Sequence, residues 1–243
     1  MHILNPMLCY NSLDIIPYVI KCNQEENIDL FVLDNYSTDG SWEYLQDNKI
    51  PSKRVDTNNT FDLNLLLHYK KEVIDKIKPD WIILTGSDDF IYSSVPVINF
   101  IKKVSSNGFD VLNIPLIRFF NTGENRINPD PRKIFFYYSI QGYMKVFHTY
   151  KNFTEYFGDE PVMDKNYQIA QTENILFLDY GNTREKEKRE EEYQRRKLAW
   201  ERGLPRHFGN HYKDASERGW LWNKNNLNDI RKSVYWKTIY NKC

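Results

Sequence analysis

The sequence predicts an α/β fold in which helices flank a mostly parallel central sheet. The first half of the chain alternates short apolar runs with helical patterns, which is typical of parallel βαβ units. Two apolar runs end directly in polar, acidic segments, as buried strands do at the ligand-binding edge of an open sheet. No repeat of fixed period and no Pro- or Ser-rich linker divides the 243 residues. We therefore expect a single domain, over residues 1–243.

Three strands and three helices are predicted in the first half. The predicted strands cover residues 1–8, 30–33 and 81–84, and the predicted helices cover residues 13–22, 41–46 and 61–77. The runs LFVL and WIIL are apolar throughout, as strands covered on both faces are. Leucines and isoleucines recur at helical spacing in the third helix, and Pro79 ends it.

The second half is less regular and richer in aromatic residues. We expect a helix at residues 95–104 and strands at 109–116 and 143–147, with a long polar loop at 121–132. The charged segment 184–197 has almost no apolar face. It predicts either a solvated, salt-bridged helix or a helix whose first residue faces a phosphate.

The charge balance argues against a broad electrostatic surface for nucleic acid or an anionic membrane. Lys plus Arg and Asp plus Glu both number 33, which gives a formal net charge of zero. The N-terminus lacks a signal-peptide pattern, and no run reaches the ~18 apolar residues of a membrane span. Cys9, Cys22 and Cys243 suggest neither a disulfide framework nor a zinc site. We expect a cytoplasmic protein without a transmembrane segment and without a nucleic-acid partner.

Acidic residues follow two of the predicted strands. Asp88 and Asp89 stand beside Gly86 and Ser87, and their carboxylates suit a hard divalent cation such as Mg²⁺ or Mn²⁺. A turn with a helix N-cap accounts for the same residues equally well. Asp34 stands too early to cap the next helix, and its carboxylate can accept hydrogen bonds from a base or a ribose hydroxyl.

Three motifs follow one another within the first 92 residues. They are the loop NSLD at 11–14, LFVLDNYSTDGS at 30–41 and DWIILTGSDDFIY at 80–92. In this order they resemble the family 2 glycosyltransferases and their relatives with the GT-A fold. Members show an early Asn-containing loop, a strand ending in Asp-Asn-x-Ser-x-Asp-Gly, and a strand ending in Asp-x-Asp-Glu-Phe. The resemblance implies a nucleotide-sugar-binding half over 1–115 and an acceptor-binding half over 116–243, helical towards its C-terminus.

The resemblance also implies which residues bind the sugar donor. Tyr10 and Asn11 would border the base, and Asp34 would hold the base or the ribose. Ser87 would serve the ribose and the diphosphate, beside Asp88. The expected ligand is a nucleoside diphosphate sugar.

A metal site is implied in the same way. Asp88 matches the second Asp of the Asp-x-Asp motif and would bind the Mn²⁺ or Mg²⁺ that bridges the diphosphate, with Asp89 beside it. Gly86 stands where the family has the first Asp. His207 or His211 could complete the metal shell, as a C-terminal His does in several GT-A enzymes, and a structural or exposed loop role is the alternative for both.

A carboxylate is expected on the acceptor side. Residues 156–160 resemble the family segment that ends in His-Glu, which would place Glu160, or failing it Asp159, at the acceptor. Displacement of a nucleoside diphosphate from an anomeric carbon requires a base on the opposite face. A surface turn before Pro161 is the alternative. Residues 179–184 resemble a His-Tyr-Gly-x-x-Arg motif of some relatives, with Asp in place of His.

The expected activity is transfer of a sugar from a nucleoside diphosphate sugar to an acceptor hydroxyl, with a divalent metal and with inversion. The acceptor is a glycan, a glycolipid or a protein-linked group, and a lipid-linked acceptor would bring the protein to a membrane surface. One alternative is a non-catalytic nucleotide- or carbohydrate-binding protein of the same fold, which Gly86 favours. The other is a nucleotidyltransferase, although the segment MLCYNS lacks a Gly-rich, basic phosphate loop.

Overall fold

A mixed sheet with helices packed on both faces forms the centre of the protein. The computed structural model describes residues 1–83, 85–120, 136–157, 160–163, 166–184, 186–204 and 228–235. The strands are β1 (Ile3–Cys9), β2 (Asp29–Asp34), β3 (Ser52–Arg54), β4 (Trp81–Ile83), β5 (Asp89–Ser93), β6 (Val111–Phe119), β7 (Phe136–Thr149), β8 (Phe153–Phe157), β9 (Glu160–Met163), β10 (Ile169–Gln171), β11 (Ile175–Asp179) and β12 (Asn228–Asp229). The α-helices are α1 (Ile16–Glu25), α2 (Ser41–Asp47), α3 (Leu63–Ile77), α4 (Val97–Ser106) and α5 (Lys186–Glu201).

The described strands of the main sheet follow the order β3-β2-β1-β4-β7-β6-β11-β5. The first four are parallel, which is the βαβ arrangement that the sequence predicted. Strand β7 is antiparallel to both β4 and β6, whereas β11 is parallel to β6 and antiparallel to β5. Strands β10 and β12 pair with β6 and β7, and β8 and β9 form a separate two-stranded sheet.

The side chains of β1 point alternately to the two faces of the sheet, and they show which helix lies on which face. Met7 and Cys9 pack in one apolar cluster with α1, whereas Leu4 packs in another with α3. Helix α4 lies on the α1 side, where its buried residues contact Trp81. Because successive side chains of a strand point to opposite faces, both faces are covered. None of the helices in the described part of the chain is long and apolar enough to cross a bilayer.

The predicted helices are all present, with small shifts that local chemistry explains. Helix α1 begins three residues later than expected, with Pro17 in its first turn, where the missing N–H costs nothing. Helix α3 begins after Asp62, whose carboxylate accepts a hydrogen bond from the backbone N–H of Leu65 at 3.1 Å. It ends at Lys78, in the left-handed region, just before Pro79.

Seven of the described strands were not predicted (β3, β5, β8, β9, β10, β11 and β12), and β5 changes the interpretation of the acidic segment. Strand β3 is only three residues long. Strand β5 begins at Asp89, so this residue lies in a sheet rather than in the predicted loop. The next residues, Phe90 and Ile91, are buried, and β5 pairs with β11. Because β11 lies some 80 residues later in the chain, no local pattern reveals this pairing. The predicted loop 121–132 lies outside the described residues.

Candidate functional site

Three loops meet at the carboxyl edge of the parallel strands, as the sequence predicted. Cys9, the last residue of β1, pairs with Asp34, the last residue of β2. Leu8 forms an isolated parallel bridge with Gly86, in the segment after β4. The residues that follow these strands therefore share one edge, where open α/β sheets bind ligands.

Hydrogen bonds lock these loops together. Asn11 has a positive φ of 43°, its backbone N–H donates to Ser37 Oγ at 2.9 Å, and its Oδ1 accepts from the Thr38 N–H at 2.8 Å. The hydroxyls of Ser12 and Ser87 lie 2.8 Å apart. These contacts fix Asn11 and Ser87, two residues predicted for the sugar donor, on one rigid surface.

Asp34 is a fully buried carboxylate with one oxygen unpaired. Its Oδ2 accepts from the Ser37 N–H at 3.1 Å and lies 3.3 Å from Nε of Arg54. Its Oδ1 has no hydrogen-bond partner among the described residues. Burial raises the pKa of Asp34 above its usual range, against the opposing effects of Ser37 and Arg54. An orphaned buried acceptor is costly, so it favours a ligand that donates a hydrogen bond there.

Three carboxylates converge where β5 and β11 pair. Asp89 stands opposite Asp179, and Asp89 Oδ2 accepts from the Gly86 N–H at 2.6 Å. Arg118 Nε donates to Asp179 at 2.5 Å. Burial, and next the charge of Asp179, raise the pKa of Asp88 to about 6. Burial and the charge of Asp88 raise the pKa of Asp89 well above its usual range. Burial and mutual repulsion therefore favour the protonated forms of Asp88 and Asp89.

Two glycines enclose the Asp88 carboxylate. A Cβ on Gly181 would lie 2.6 Å from Asp88 Oδ2 and 3.2 Å from Asp179 Oδ1. A Cβ on Gly86 would lie 3.0 Å from Asp88 Oδ1 and 3.2 Å from Asp89 Oδ2. The Asp89 carboxylate thus fills the space into which a side chain at position 86 would project. A side chain at position 86 would have to displace the Asp88 or Asp89 carboxylate.

Helix α5 carries ion pairs, as expected of a solvated, salt-bridged helix, but it lies over the same edge and buries Arg195 there. Just before it, Arg184 pairs with Asp14 at 2.8 Å and also donates to the Asn11 carbonyl. Arg184 therefore binds a carboxylate and a carbonyl in this structure, and its predicted contact with a phosphate stays a prediction. Lys188 pairs with Asp39 at 2.7 Å and donates to the same carbonyl at 3.0 Å. Burial raises the pKa of Asp39, but hydrogen bonds from Lys188 and Ser41 outweigh it, so the pKa lies below its usual value.

Further along α5, two side chains cover the residues predicted for the base. Glu191 accepts hydrogen bonds from the Tyr10 hydroxyl at 2.6 Å and from the Asn11 amide at 2.7 Å. The Arg195 guanidinium lies 3.3 Å from the centre of the Tyr10 ring and donates to the Thr60 carbonyl at 2.7 Å. Sequence reasoning missed both residues, because a charged run does not show which of its charges is buried against another part of the chain.

Of the remaining predicted residues, the structure describes only Glu160. Glu160 is the first residue of β9 and its backbone pairs with Phe157 of β8. Asp159, His207 and His211 lie outside the described residues. Within the described residues, no group of three or more His, Cys, Asp or Glu side chains is arranged to hold a metal ion.

The fold places this chain among proteins with the GT-A fold, the class that the motifs resemble. The structure of S. aureus TarS is similar to it with a TM-score of 0.51 and 14% sequence identity, over 88% of this chain and 42% of that chain. The chain thus spans less than half the length of that protein. S. aureus TarS 1-349 in complex with UDP-GlcNAc gives a TM-score of 0.44 and 15% identity, over 88% and 70% of the two chains. HddC from Yersinia pseudotuberculosis gives a TM-score of 0.45 and 11% sequence identity, over 80% of this chain and 98% of that chain. No family model and no curated protein matches the sequence.

Proposed function

We propose that this chain is a family 2-like glycosyltransferase that moves a sugar from a nucleoside diphosphate sugar to an acceptor hydroxyl. One observation carries the proposal: a buried carboxylate with an unpaired oxygen, Asp34, shares one sheet edge with the Asp88 carboxylate. The first suits a hydroxyl or N–H donor of a nucleoside, and the second suits a metal-bound diphosphate. The GT-A fold supports this arrangement.

Each residue of the edge has a proposed role toward the sugar donor. Tyr10 and Asn11 border the base, and Asp34 accepts a hydrogen bond from the base or the ribose. Ser87, held by Ser12, serves the ribose and the diphosphate. Since hydrogen bonds between loops already fix these groups, little conformational entropy is lost when they bind a nucleotide.

The carboxylates of the cluster are suitable ligands for a divalent cation, although they do not form a complete coordination shell. Asp88, with Asp89 beside it, offers hard oxygen ligands, and a bound cation would favour the ionised forms that burial disfavours. Mg²⁺ commonly takes one or two carboxylates and completes its shell with substrate phosphates and waters. A bound Mn²⁺ or Mg²⁺ would neutralise charge on the departing diphosphate. His207 and His211 are the proposed additional ligands.

The acceptor side of the proposal rests on one carboxylate. Glu160, with Asp159 as the second choice, takes the proton of the acceptor hydroxyl as that oxygen attacks the anomeric carbon. Attack opposite the leaving diphosphate inverts the configuration. The acceptor is a glycan, a glycolipid or a protein-linked group, and its chemistry sets any association with a membrane surface.

Ligand-dependent thermal stability tests the proposed function. The purified protein is heated with UDP, GDP, ADP, CDP or dTDP, or with their sugars, in MnCl₂, MgCl₂ or EDTA. We expect one nucleotide to raise the midpoint in a metal-dependent way, because a ligand that binds only the folded state stabilises it. Asp88→Ala should abolish the metal dependence, and Asp34→Ala should weaken binding with or without metal.

A matched control is Asp75→Ala, which removes an exposed carboxylate that pairs with Lys71 on α3, away from the edge. This variant should respond to nucleotides as the unmodified protein does. If no nucleotide shifts the midpoint of any variant, the non-catalytic interpretation replaces the proposed function. If one binds but no sugar is transferred to glycan, glycolipid or peptide acceptors, the fold is a binding module.

A further inference from the structure

Helix α5 covers the proposed base site directly. The face of the Tyr10 ring, on which a base would stack, carries the Arg195 guanidinium at 3.3 Å. A distance of this size is direct contact, so no base fits between the two groups. The hydroxyl of Tyr10 and the amide of Asn11 are both bound to Glu191. The chain's own side chains therefore occupy the stacking surface and the polar groups that a nucleotide would need.

Several polar contacts hold α5 in place. Arg184 and Lys188 bind the loop after β1, Arg195 binds the Thr60 carbonyl, and Arg202 donates to the Asn58 carbonyl at 3.0 Å. These partners lie in the segments that follow β1 and β3. Polar contacts that water can replace contribute little net stability each, whereas buried apolar surface resists separation. Lifting α5 exchanges these contacts for contacts with water, so it costs less than separating an equal area of apolar surface.

We propose that α5 is an autoinhibitory lid. When the lid is closed, Glu191 and Arg195 occupy the nucleotide-binding site, and a nucleotide binds only after α5 has lifted. The inference rests on the proposed function, since it requires Tyr10 and Asn11 to belong to the nucleotide-binding site. The planar guanidinium takes the place of a base on the aromatic ring. The Glu191 carboxylate takes the place of the acceptor atoms of that base. Closure and nucleotide binding therefore compete for the same groups.

Competition of this kind has a measurable signature. The apparent dissociation constant equals the intrinsic one divided by the fraction of open protein, so weakening the closed form tightens binding. We expect Arg195→Ala to bind its nucleotide about five- to thirtyfold more tightly, by loss of the stacked cation and its hydrogen bond. Glu191→Ala should act in the same direction.

Matched controls exist on the same helix. Lys197→Ala removes an exposed cation that pairs with Glu201, and Glu190→Gln neutralises a carboxylate bound to Gln194 within α5. Both change the charge of α5 at exposed pairs within the helix, and both should leave the dissociation constant unchanged. Far-UV circular dichroism verifies that each variant folds. Since Arg195 is buried, Glu191→Ala provides the test if Arg195→Ala does not fold.

Isothermal titration calorimetry with UDP, GDP, ADP, CDP and dTDP, with MnCl₂ present, gives the constants for each variant. Hydrogen exchange of the backbone amides provides a second measurement, because lifting exposes α5 to solvent. The bound nucleotide should speed exchange in α5 while α1 and α3 keep their protection.

The outcomes separate the two proposals. Weaker binding in Arg195→Ala and Glu191→Ala, with α5 more protected when nucleotide is bound, would show that α5 contributes to the nucleotide site, and the lid would be discarded. Unchanged binding in both variants would also overturn the lid and leave the proposed function intact. If no nucleotide binds the unmodified protein or any variant, the proposed function fails, and the lid fails with it.

Discussion

At the scale of single residues, the most informative feature is the Asp88 carboxylate between two glycines. Gly86 and Gly181 leave no room for side chains beside it, and Asp89 fills the space next to Gly86. Gly181 and Gly86 both have ordinary negative or extended backbone angles rather than positive φ values. Their small size, not their conformational freedom, is therefore what the site uses.

Gly181→Ala tests whether this space matters for ligand binding. The new Cβ would lie 2.6 Å from Asp88 Oδ2, which is too close, so the carboxylate must turn away. We expect metal-dependent nucleotide binding to fall at least tenfold, as calorimetry would show, while the thermal midpoint of the free protein changes little. Asp88→Ala provides the comparison. Equal binding by Gly181→Ala and the unmodified protein would show that the position of this carboxylate is not critical.

The raised pKa of Asp88 predicts a pH-dependent free energy of unfolding. Burial, and next Asp179, move this pKa from 3.8 to about 6 in the folded protein, so the folded state binds the proton more tightly than the unfolded state. The resulting penalty is absent below about pH 4, grows as the pH rises through 6, and reaches on the order of 2–3 kcal/mol at pH 7. Asp88→Asn removes it. Urea unfolding from pH 4 to pH 7 should therefore show the variant gaining stability relative to the unmodified protein, whereas a constant difference would contradict this ionisation.

Glu160→Gln separates binding of the sugar donor from transfer. The amide keeps the size of the side chain but cannot accept the proton of the acceptor hydroxyl, so the rate should fall about 10²- to 10⁴-fold. The dissociation constant for the nucleotide should stay the same, because the proposed role of Glu160 lies on the acceptor side. Asp159→Asn is the companion variant, and the larger loss of rate identifies the base. Full activity in both would remove this segment from the mechanism.

At the scale of whole elements, the sequence predicted those that local patterns define. Residues 30–33 and 81–84 are continuous apolar runs, and α3 has regular helical spacing with a cap and a terminating proline. Strand β5 and the contacts of α5 were missed for one reason. Asp89 pairs with β11, and Glu191 binds Tyr10, which is 181 residues away, so distant parts of the chain decide both placements. The carboxylates of the site were predicted from their motif, but the helix that covers them was not.

At the scale of the whole molecule, the order of strands interleaves the two halves of the chain. Strand β7, from the second half, lies between β4 and β6, and β11 lies between β6 and β5. Trp81 and Phe147, one from each half, are buried in the same apolar cluster. The sheet that positions Asp34 and Asp88 is therefore built by both halves. The single domain over residues 1–243 stays a prediction.

This interleaving predicts that residues 1–115 do not fold alone. Without the second half, β4 loses β7, β5 loses β11, and the apolar side chains that contact Phe147 are exposed to water. We expect the isolated fragment to show little dispersion in a ¹H–¹⁵N correlation spectrum and no cooperative thermal transition. The full chain should unfold in a single transition, with equal calorimetric and van't Hoff enthalpies. A dispersed spectrum from the fragment, or two separate transitions in the full chain, would instead show that the nucleotide-binding half is an independent domain that the second half only completes.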